Sequence, residues 1–211
     1  MKIALINGSP KTKDSASEFI LGALKPLLTD DNEMIEYHLK SSMLNDHDLE
    51  RMAACNALVF AFPLYVDGIP SHLVSCLYQM ETFFSRQSTK RIVVYALVNN
   101  GFYEGRQNSI ALELMENWCE KAQLIWGQGI GIGGGGMLPL LSGVPDGQGP
   151  KKNLWVALKT LTSCILTGSV ADNLFISPNF PKFAYKIAAE MGWRQQAKAN
   201  GLRVKDLFTQ K

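Results

Sequence analysis

Short apolar runs recur along the chain, each followed by a polar turn rich in Gly, Pro, Ser or Asn and then by an amphipathic stretch. Lys2–Asn7 (KIALIN) opens the series, breaks into Gly8, Ser9 and Pro10, and leads through a polar tract into an amphipathic stretch from Glu18 to Leu28. Met34–Leu39, Ala57–Phe62 (ALVFAF), Arg91–Val98 (RIVVYALV) and Leu124–Ile132 are further runs of strand length. Helical patterns lie between them: Asp46–Cys55, capped by Asn45 or Asp46; Ser71–Arg86, entered through Pro70; and Arg106–Lys121. Residues 151–170 and 180–199 read as further helices. Buried strands in alternation with helices predict an α/β protein, a parallel sheet with helices on both faces.

The turn after the first strand has the form of an anion site. A strand that feeds a hydroxyl-rich turn opening a helix offers backbone N–H groups and a positive helix end to a phosphate. A triphosphate loop requires G-x-x-x-x-G-K-[ST], but Lys13 stands where the second glycine belongs. A dinucleotide loop requires G-x-G-x-x-G, and Pro10 occupies its second glycine position. What remains is a cradle of Ser9, Thr12, Ser15 and Ser17, with Lys11 and Lys13 near, suited to a terminal monophosphate of roughly two negative charges. The alternative is structural: Ser15 or Ser17 caps the helix, with Glu18 in its first turn.

Two more strand ends carry loops of the same kind. Ala57–Phe62 ends in Pro63, Leu64, Tyr65, Val66, Asp67, Gly68, Ile69 and Pro70. Arg91–Val98 ends in Asn99, Asn100, Gly101, Phe102, Tyr103, Glu104 and Gly105. In an open parallel sheet the loops leaving the carboxyl ends of the strands share one edge, and ligands bind there. The competing readings are that Pro63 and Gly68 shape an ordinary turn, that Tyr65 packs on a neighbouring helix, and that Asn100-Gly101 is a plain Asn-Gly turn.

The series GSPKTKDSAS, FPLYVDGIP and NNGFYEG resembles the flavodoxin-like NAD(P)H-dependent FMN reductase family and its iron–sulfur flavoprotein relatives, over residues 1–105, about half the chain. The resemblance implies a flavodoxin-like three-layer sandwich with a five-stranded parallel sheet in the order 2-1-3-4-5, as one domain over residues 1–211. It implies that Ser9, Lys11, Ser15 and Ser17, with the N–H groups of Ala16 and its neighbours, hold the FMN phosphate. Pro63 to Gly68 then border the isoalloxazine, with peptide N–H groups toward its N1, O2 and O4 edge and Leu64 and Tyr65 as an apolar wall. Asn99 to Glu104 close the opposite side, Gly101 allowing close backbone approach and Phe102 or Tyr103 lying against ring or ribityl. NAD(P)H is the implied co-substrate and a quinone, flavin, nitroaromatic or azo compound the acceptor, in ping-pong order. The cofactor supplies the redox chemistry, so no side-chain acid, base or nucleophile is obligatory.

A homodimer is also implied, with 127–150 and the aromatic-rich 175–193 region (Phe175, Phe180, Phe183, Tyr185, Trp193) as candidate contacts. The rival from another class is a flavodoxin-type electron carrier, or a flavin-binding or regulatory protein with no turnover of its own. Carriers are typically strongly acidic, whereas this chain has a pI near 8.3. A formal net charge of +2 over 211 residues shows no basic stripe for nucleic acid and no polybasic segment for a membrane. The first apolar run is too short for a signal peptide and none reaches the length of a membrane span, so a soluble cytoplasmic protein is expected.

Cys55, Cys76, Cys119 and Cys164 lie far apart without a C-x-x-C pair, so the iron–sulfur branch is excluded and all four read as structural. His38, His47 and His72 show no metal or triad spacing. Gly129 to Gly134 satisfies G-x-G-x-x-G, but Pro139 and Pro145 occupy the segment that should be its helix. The glycines from Gly127 to Gly149 are expected to form a loop that folds over the flavin edge or reaches a partner.

Overall fold

Strand β1 (Lys2–Asn7) is buried from Ile3 onward and lies between β2 (Glu33–His38) and β3 (Ala57–Pro63). The sheet continues through β4 (Val93–Asn99), β5 (Ile125–Ile132) and a short β6 (Leu174–Ile176). All pairs are parallel, in the order β2-β1-β3-β4-β5-β6. The structure is a computed structural model and describes residues 1–28, 31–86 and 91–208. The sheet thus has six strands where five are expected. The sixth is only the three residues Leu174–Ile176, an apolar run too short to announce a strand and without a fully buried residue; its pairing with Ile130–Ile132 defines it.

Alternation along the strands sends successive side chains to opposite faces, and each face has its own helices. Ala4, Ile6, Phe60, Phe62, Val94 and Ala96 pack beneath α2 (Asp46–Ala53), α3 (Ser71–Phe84) and α4 (Ser109–Lys121). Ile3, Leu5, Val59, Ala61, Tyr95 and Leu97 face α1 (Ala16–Leu24) and α5 (Lys152–Thr167). Several helices are shorter than their patterns suggest, for local reasons. Pro26 lacks an N–H, so α1 stops at Leu24 and tightens into a 3-10 turn over Lys25–Leu28. The α4 pattern begins as a 3-10 turn, Gly105–Asn108. Gly168, at φ 62°, ends α5.

Contacts divide the chain into two compact units, Met1–Pro178 and Asn179–Lys211. The first holds the whole sheet. The second holds α6 (Lys182–Ala199) and a 3-10 turn, Val204–Phe208. Among the described residues no helix is long and apolar enough to cross a membrane.

Tyr95 ties the α5 face together. Its side chain is fully buried, and its hydroxyl lies 2.8 Å from the Cys164 carbonyl and 3.0 Å from that of Ser169, donating between them. Burial pushes its pKa from 10.0 up to about 12. The fold therefore prefers the neutral phenol, whose contribution is complete below pH 10 and is lost as pH rises from 10 to about 12. Tyr95→Phe is expected to cost about 1–3 kcal/mol at neutral pH, because the phenol's bonds to the Cys164 and Ser169 carbonyls are lost, and to flatten the alkaline loss of stability. Denaturant midpoints of both proteins at neutral and alkaline pH check this; equal stabilities at neutral pH would show that the hydroxyl is not a structural tie.

Candidate functional site

Strand register brings the loops together. Asn7 pairs with Ala61, Pro63 with Asn99, Asn99 with Ile132 and Ile132 with Ile176, so the carboxyl ends of β1, β3, β4, β5 and β6 form one edge. A cavity of about 180 Å³ opens there. It is lined by Ser9, Lys11, Ser15, Ala16 and Ser17 from the first loop, by Pro63, Leu64 and Tyr65 from the second, and by Asn99, Asn100 and Gly101 from the third. Thr12 and Lys13 are exposed and do not line it.

The first loop is both a cap and an anion cradle. Ser15 is the N-cap of α1 and its Oγ accepts from the Glu18 N–H at 3.0 Å, so the capping alternative is realised. The cap nevertheless leaves the N–H groups of Ala16 and Ser17, the first two helical residues, with no acceptor among the described residues. Both residues line the cavity, at the positive end of the helix. Ser9, Ser15 and Ser17 are at most 3% exposed, so three buried hydroxyls surround these two donors. Lys11 adds a positive charge at the rim.

Asn99 joins all three loops. Its side-chain amide, 4% exposed, donates to the Ser17 hydroxyl and to the Phe62 carbonyl, both at 3.0 Å. Its own carbonyl accepts from the Leu64 N–H at 2.7 Å. A polar residue that ends an apolar run is visible in sequence; that it reaches across to Ser17, 82 positions away, is visible only in the fold.

The second loop is a tight two-residue turn, with Tyr65 and Gly68 exchanging both backbone hydrogen bonds at 3.0 Å. Val66 and Asp67 sit at φ 48° and 56°, the pattern of a primed turn. The N–H groups of Leu64, Tyr65 and Gly68 are thus already paired and Pro63 has none. Only Val66 and Asp67 keep donors without an acceptor among the described residues. Val66, Asp67 and Gly68 do not line the cavity itself. A β-branched residue at positive φ is strained, and Val66 is fully exposed, so it gains no packing in exchange. Val66→Asn is expected to stabilise the protein by about 1 kcal/mol, since Asn tolerates this conformation. For a protein of this size that corresponds to a rise in Tm of about 2–4 °C; an unchanged or lower Tm would refute the strain.

The third loop is built by Asn100. Its Oδ1 accepts from the Phe102 N–H at 2.9 Å and its Nδ2 donates to the Glu104 carbonyl at 3.2 Å, an Asn-centred turn as the structural alternative has it. Phe102, Tyr103 and Glu104 stand outside the cavity; Phe102 is exposed and the Tyr103 hydroxyl donates to the Pro178 carbonyl at 3.4 Å.

A fourth segment completes the wall: Gly135, Gly136 and Pro139, from the 127–149 stretch whose glycines are expected to form a loop over the flavin edge or at a partner, without any of the three being named there as a site residue. Gly129 and Gly131 belong to β5, and the residues after Gly134 form a 3-10 helix, Gly135–Leu141, with Pro139 inside it. No α-helix follows the G-x-G-x-x-G stretch, so it lacks the context of a dinucleotide loop. Gly134, at φ 69°, turns the chain, donating to the Phe102 carbonyl at 2.6 Å, and Gly135 donates to the Asn100 carbonyl at 2.7 Å. The signal in sequence was the position of this segment at the end of a strand adjacent to β4.

A larger groove, about 470 Å³, runs between α2 and α3, lined by residues such as Leu44, Leu49, Tyr78 and Phe83. None of its lining residues belongs to the strand-end loops. The four cysteines are free and buried, and burial raises the Cys76 and Cys119 thiols, Glu116 adding to the rise at Cys119. Thiols so held are poor nucleophiles.

No protein-family model and no curated protein matches the chain. Solved structures do. The NADPH-quinone reductase from P. pentosaceus aligns at 15% identity and a TM-score of 0.58, over 77% of this chain and 98% of its own. An NADH:FMN oxidoreductase in its apo form aligns at 14% and 0.59, over 81% and 90%. A short-chain flavodoxin aligns at 12% and 0.52, over 80% and 99%. The chain has the flavodoxin-like fold. In a flavodoxin-like sheet the ligand crevice lies outside the carboxyl ends of the strands at a switch in strand order. Here β1 and β3 flank that switch, and their loops carry Ser9–Ser17 and Pro63–Tyr65.

Proposed function

We propose that the chain is an FMN-dependent NAD(P)H oxidoreductase that reduces a small acceptor such as a quinone, flavin, nitroaromatic or azo compound. The observation that carries this reading is the pair of unpaired N–H groups at Ala16 and Ser17, set among three buried serines at the carboxyl edge of a flavodoxin-like sheet. The residues present fit FMN. The first loop offers donors and a lysine to a phosphate dianion, and a cavity of about 180 Å³, smaller than the roughly 300–1,000 Å³ of whole-ligand pockets, suits the phosphoryl and ribityl part. Leu64, Tyr65 and the Gly135–Pro139 wall supply apolar surface and close backbone at its mouth.

Bound FMN supplies hydride and electron transfer between the nicotinamide and the acceptor. The chain binds and orients it: Asn99 locks the three loops in one arrangement, and the Val66 and Asp67 N–H groups are the donors left for the ring's polar edge. Donor and acceptor use the same open face in turn, in ping-pong order. Four free thiols fit a reducing compartment, and we assign the reaction to the cytoplasm.

The test is an absorption spectrum after FMN addition and desalting, repeated anaerobically with NADPH and with NADH. A retained flavin band that one nucleotide bleaches supports the reductase and identifies its donor. A retained band that neither bleaches assigns the chain to the carriers or storage proteins, and no retained flavin refutes the site.

A further inference from the structure

The segment that follows the cavity's fourth wall is held down by one buried cation. Leu138 is the last buried residue of that wall, and none of the twelve residues from Pro139 to Pro150 is buried. A strap without apolar anchors opens locally at little cost. It begins inside a seven-residue 3-10 helix, Gly135–Leu141, longer than the three or four residues such helices usually reach, and it turns back at Gly147 and Gly149, at φ 77° and 47°.

Lys151, 6% exposed, closes the strap. Its ammonium pairs with Asp146 at 2.5 Å, donates to the Val144 carbonyl at 2.8 Å and lies 5.0 Å from the centre of the Phe19 ring. Both oxygen partners belong to the strap, while Phe19 stands on α1 one turn beyond the Ser15 cap. The clasp therefore joins the strap to the helix that carries the phosphate donors.

On local grounds lysine is a poor residue here. Lys151 is the N-cap of α5 and makes no capping bond, Lys152 follows it, and the first turn has no acid, so two cations sit at the positive end of a 16-residue helix. An apolar side chain would avoid both that repulsion and the desolvation of a buried ammonium. What the lysine supplies is a contact that can be released: when the strap lifts, water solvates the ammonium and the carboxylate and offsets the bonds they lose. A local rule broken in this way marks a functional position.

The cavity requires a movable side. At about 180 Å³ it is smaller than the roughly 300–1,000 Å³ of whole-ligand pockets, and Pro139, where the strap begins, lines it. Gly134 and Gly135 are fixed, their N–H groups bonded to the Phe102 and Asn100 carbonyls at 2.6 and 2.7 Å. Widening falls to the strap beyond Leu138.

We propose that residues 139–150 gate the cavity and that Lys151 is the latch, a role that rests on the flavin reading for the identity of the ligand. Release of the ammonium from Asp146 and Val144 lets the strap lift for entry and exit, and its return closes the strap over the bound cofactor. Lys151 positions the strap and takes no part in the redox chemistry.

Stopped-flow flavin fluorescence of the full chain tests the gate through the rate constants for FMN association and dissociation. A gate opens for both, so Lys151→Met, which keeps an apolar stem and removes the charge, is expected to raise both about tenfold, the effect of roughly one bond to a charged group, and to leave Kd within about threefold. Asp146→Asn, at a side chain 40% exposed, is expected to raise both by less and to add nothing to Lys151→Met, because the two changes open one clasp. Faster dissociation alone, with Kd weakened in proportion, would make the strap a fixed wall. Unchanged rates, or additive effects of the two substitutions, would remove the latch. Hydrogen exchange of the protein without FMN reads the clasp independently: amides of residues 142–149 are expected to exchange about tenfold faster in Lys151→Met, with those of β1 and β3 unchanged. Unaltered exchange in the strap, or faster exchange throughout the sheet, would overturn the latch whether or not flavin binds. Faster exchange confined to the strap, in a protein that retains no FMN, would uphold the clasp and refute the flavin site.

Discussion

Asn99→Asp is expected to abolish FMN retention, with affinity falling at least about a hundredfold, the equivalent of roughly 2.7 kcal/mol. The substitution keeps the shape of the side chain and removes its donors. The amide now gives one N–H to the Ser17 hydroxyl and one to the Phe62 carbonyl, each at 3.0 Å. A carboxylate there would face the Phe62 carbonyl oxygen with no proton between them, in a position 4% exposed. It would also set a negative charge beside the hydroxyls proposed to receive a phosphate dianion. Two penalties follow, one on the fold and one on the ligand. The loss of the buried bonds lowers stability by about 2–4 kcal/mol, read in a denaturant melt of the protein without FMN. The repulsion is read separately, as weaker FMN binding in a fluorescence titration, and it should ease as pH falls and the carboxyl protonates. Tight FMN binding by Asn99→Asp would remove Asn99 from the site and leave it a structural link only.

How far the sequence revealed this arrangement differs from element to element. The buried strands β1, β3 and β4 were legible because each has an apolar run with polar residues only at its ends, and a strand in a parallel sheet is apolar on both faces; β5, interrupted by Gln128 and three glycines, was legible from the isoleucines and Trp126 around them. The edge strand β6 was not, because three partly exposed residues carry no periodic signal. Helix ends moved by a few residues wherever a proline or a glycine acts locally, as at Pro26 and Gly168. The first loop was legible in its residue types, and its two readings turn out to be compatible: Ser15 caps the helix with its side chain while the backbone of Ala16 and Ser17 stays free. For the second and third loops the sequence located the segments but not the tips. Backbone pairing of Tyr65 with Gly68 puts Val66 and Asp67 at an exposed tip, a property of φ angles that residue types alone do not determine, and the Asn100 side chain, bonded to the Phe102 N–H and the Glu104 carbonyl, holds the third loop with Phe102 exposed. The link from Asn99 to Ser17 joins residues far apart in the chain and follows from the sheet order, which became certain only with the fold.

The adjacent glycines 135 and 136 provide the sharpest test of how the fourth wall of the cavity works. Both line it, yet their surroundings differ. A Cβ on Gly135 would lie 2.9 Å from the Asn100 carbonyl oxygen, 2.9 Å from Asn99 Oδ1 and 3.1 Å from Asn99 Cβ. Backbone cannot yield as a flexible side chain does, so the added methyl displaces either the 3-10 helix or the Asn99 amide. Gly136 has nothing within 4 Å of the same position. Gly135→Ala is therefore expected to weaken FMN binding by about tenfold or more, some 1.4 kcal/mol, and to lower Tm, while Gly136→Ala stays within about threefold of wild type in binding. If the damage at Gly135 passes through Asn99, the two changes are not independent. Added to Asn99→Asp, Gly135→Ala should then cost less than it does alone, as expected for residues in direct contact. Additive losses would mean that the glycine wall acts on the ligand directly, and equal losses from the two alanines would mean that close packing at Gly135 is not what shapes the cavity.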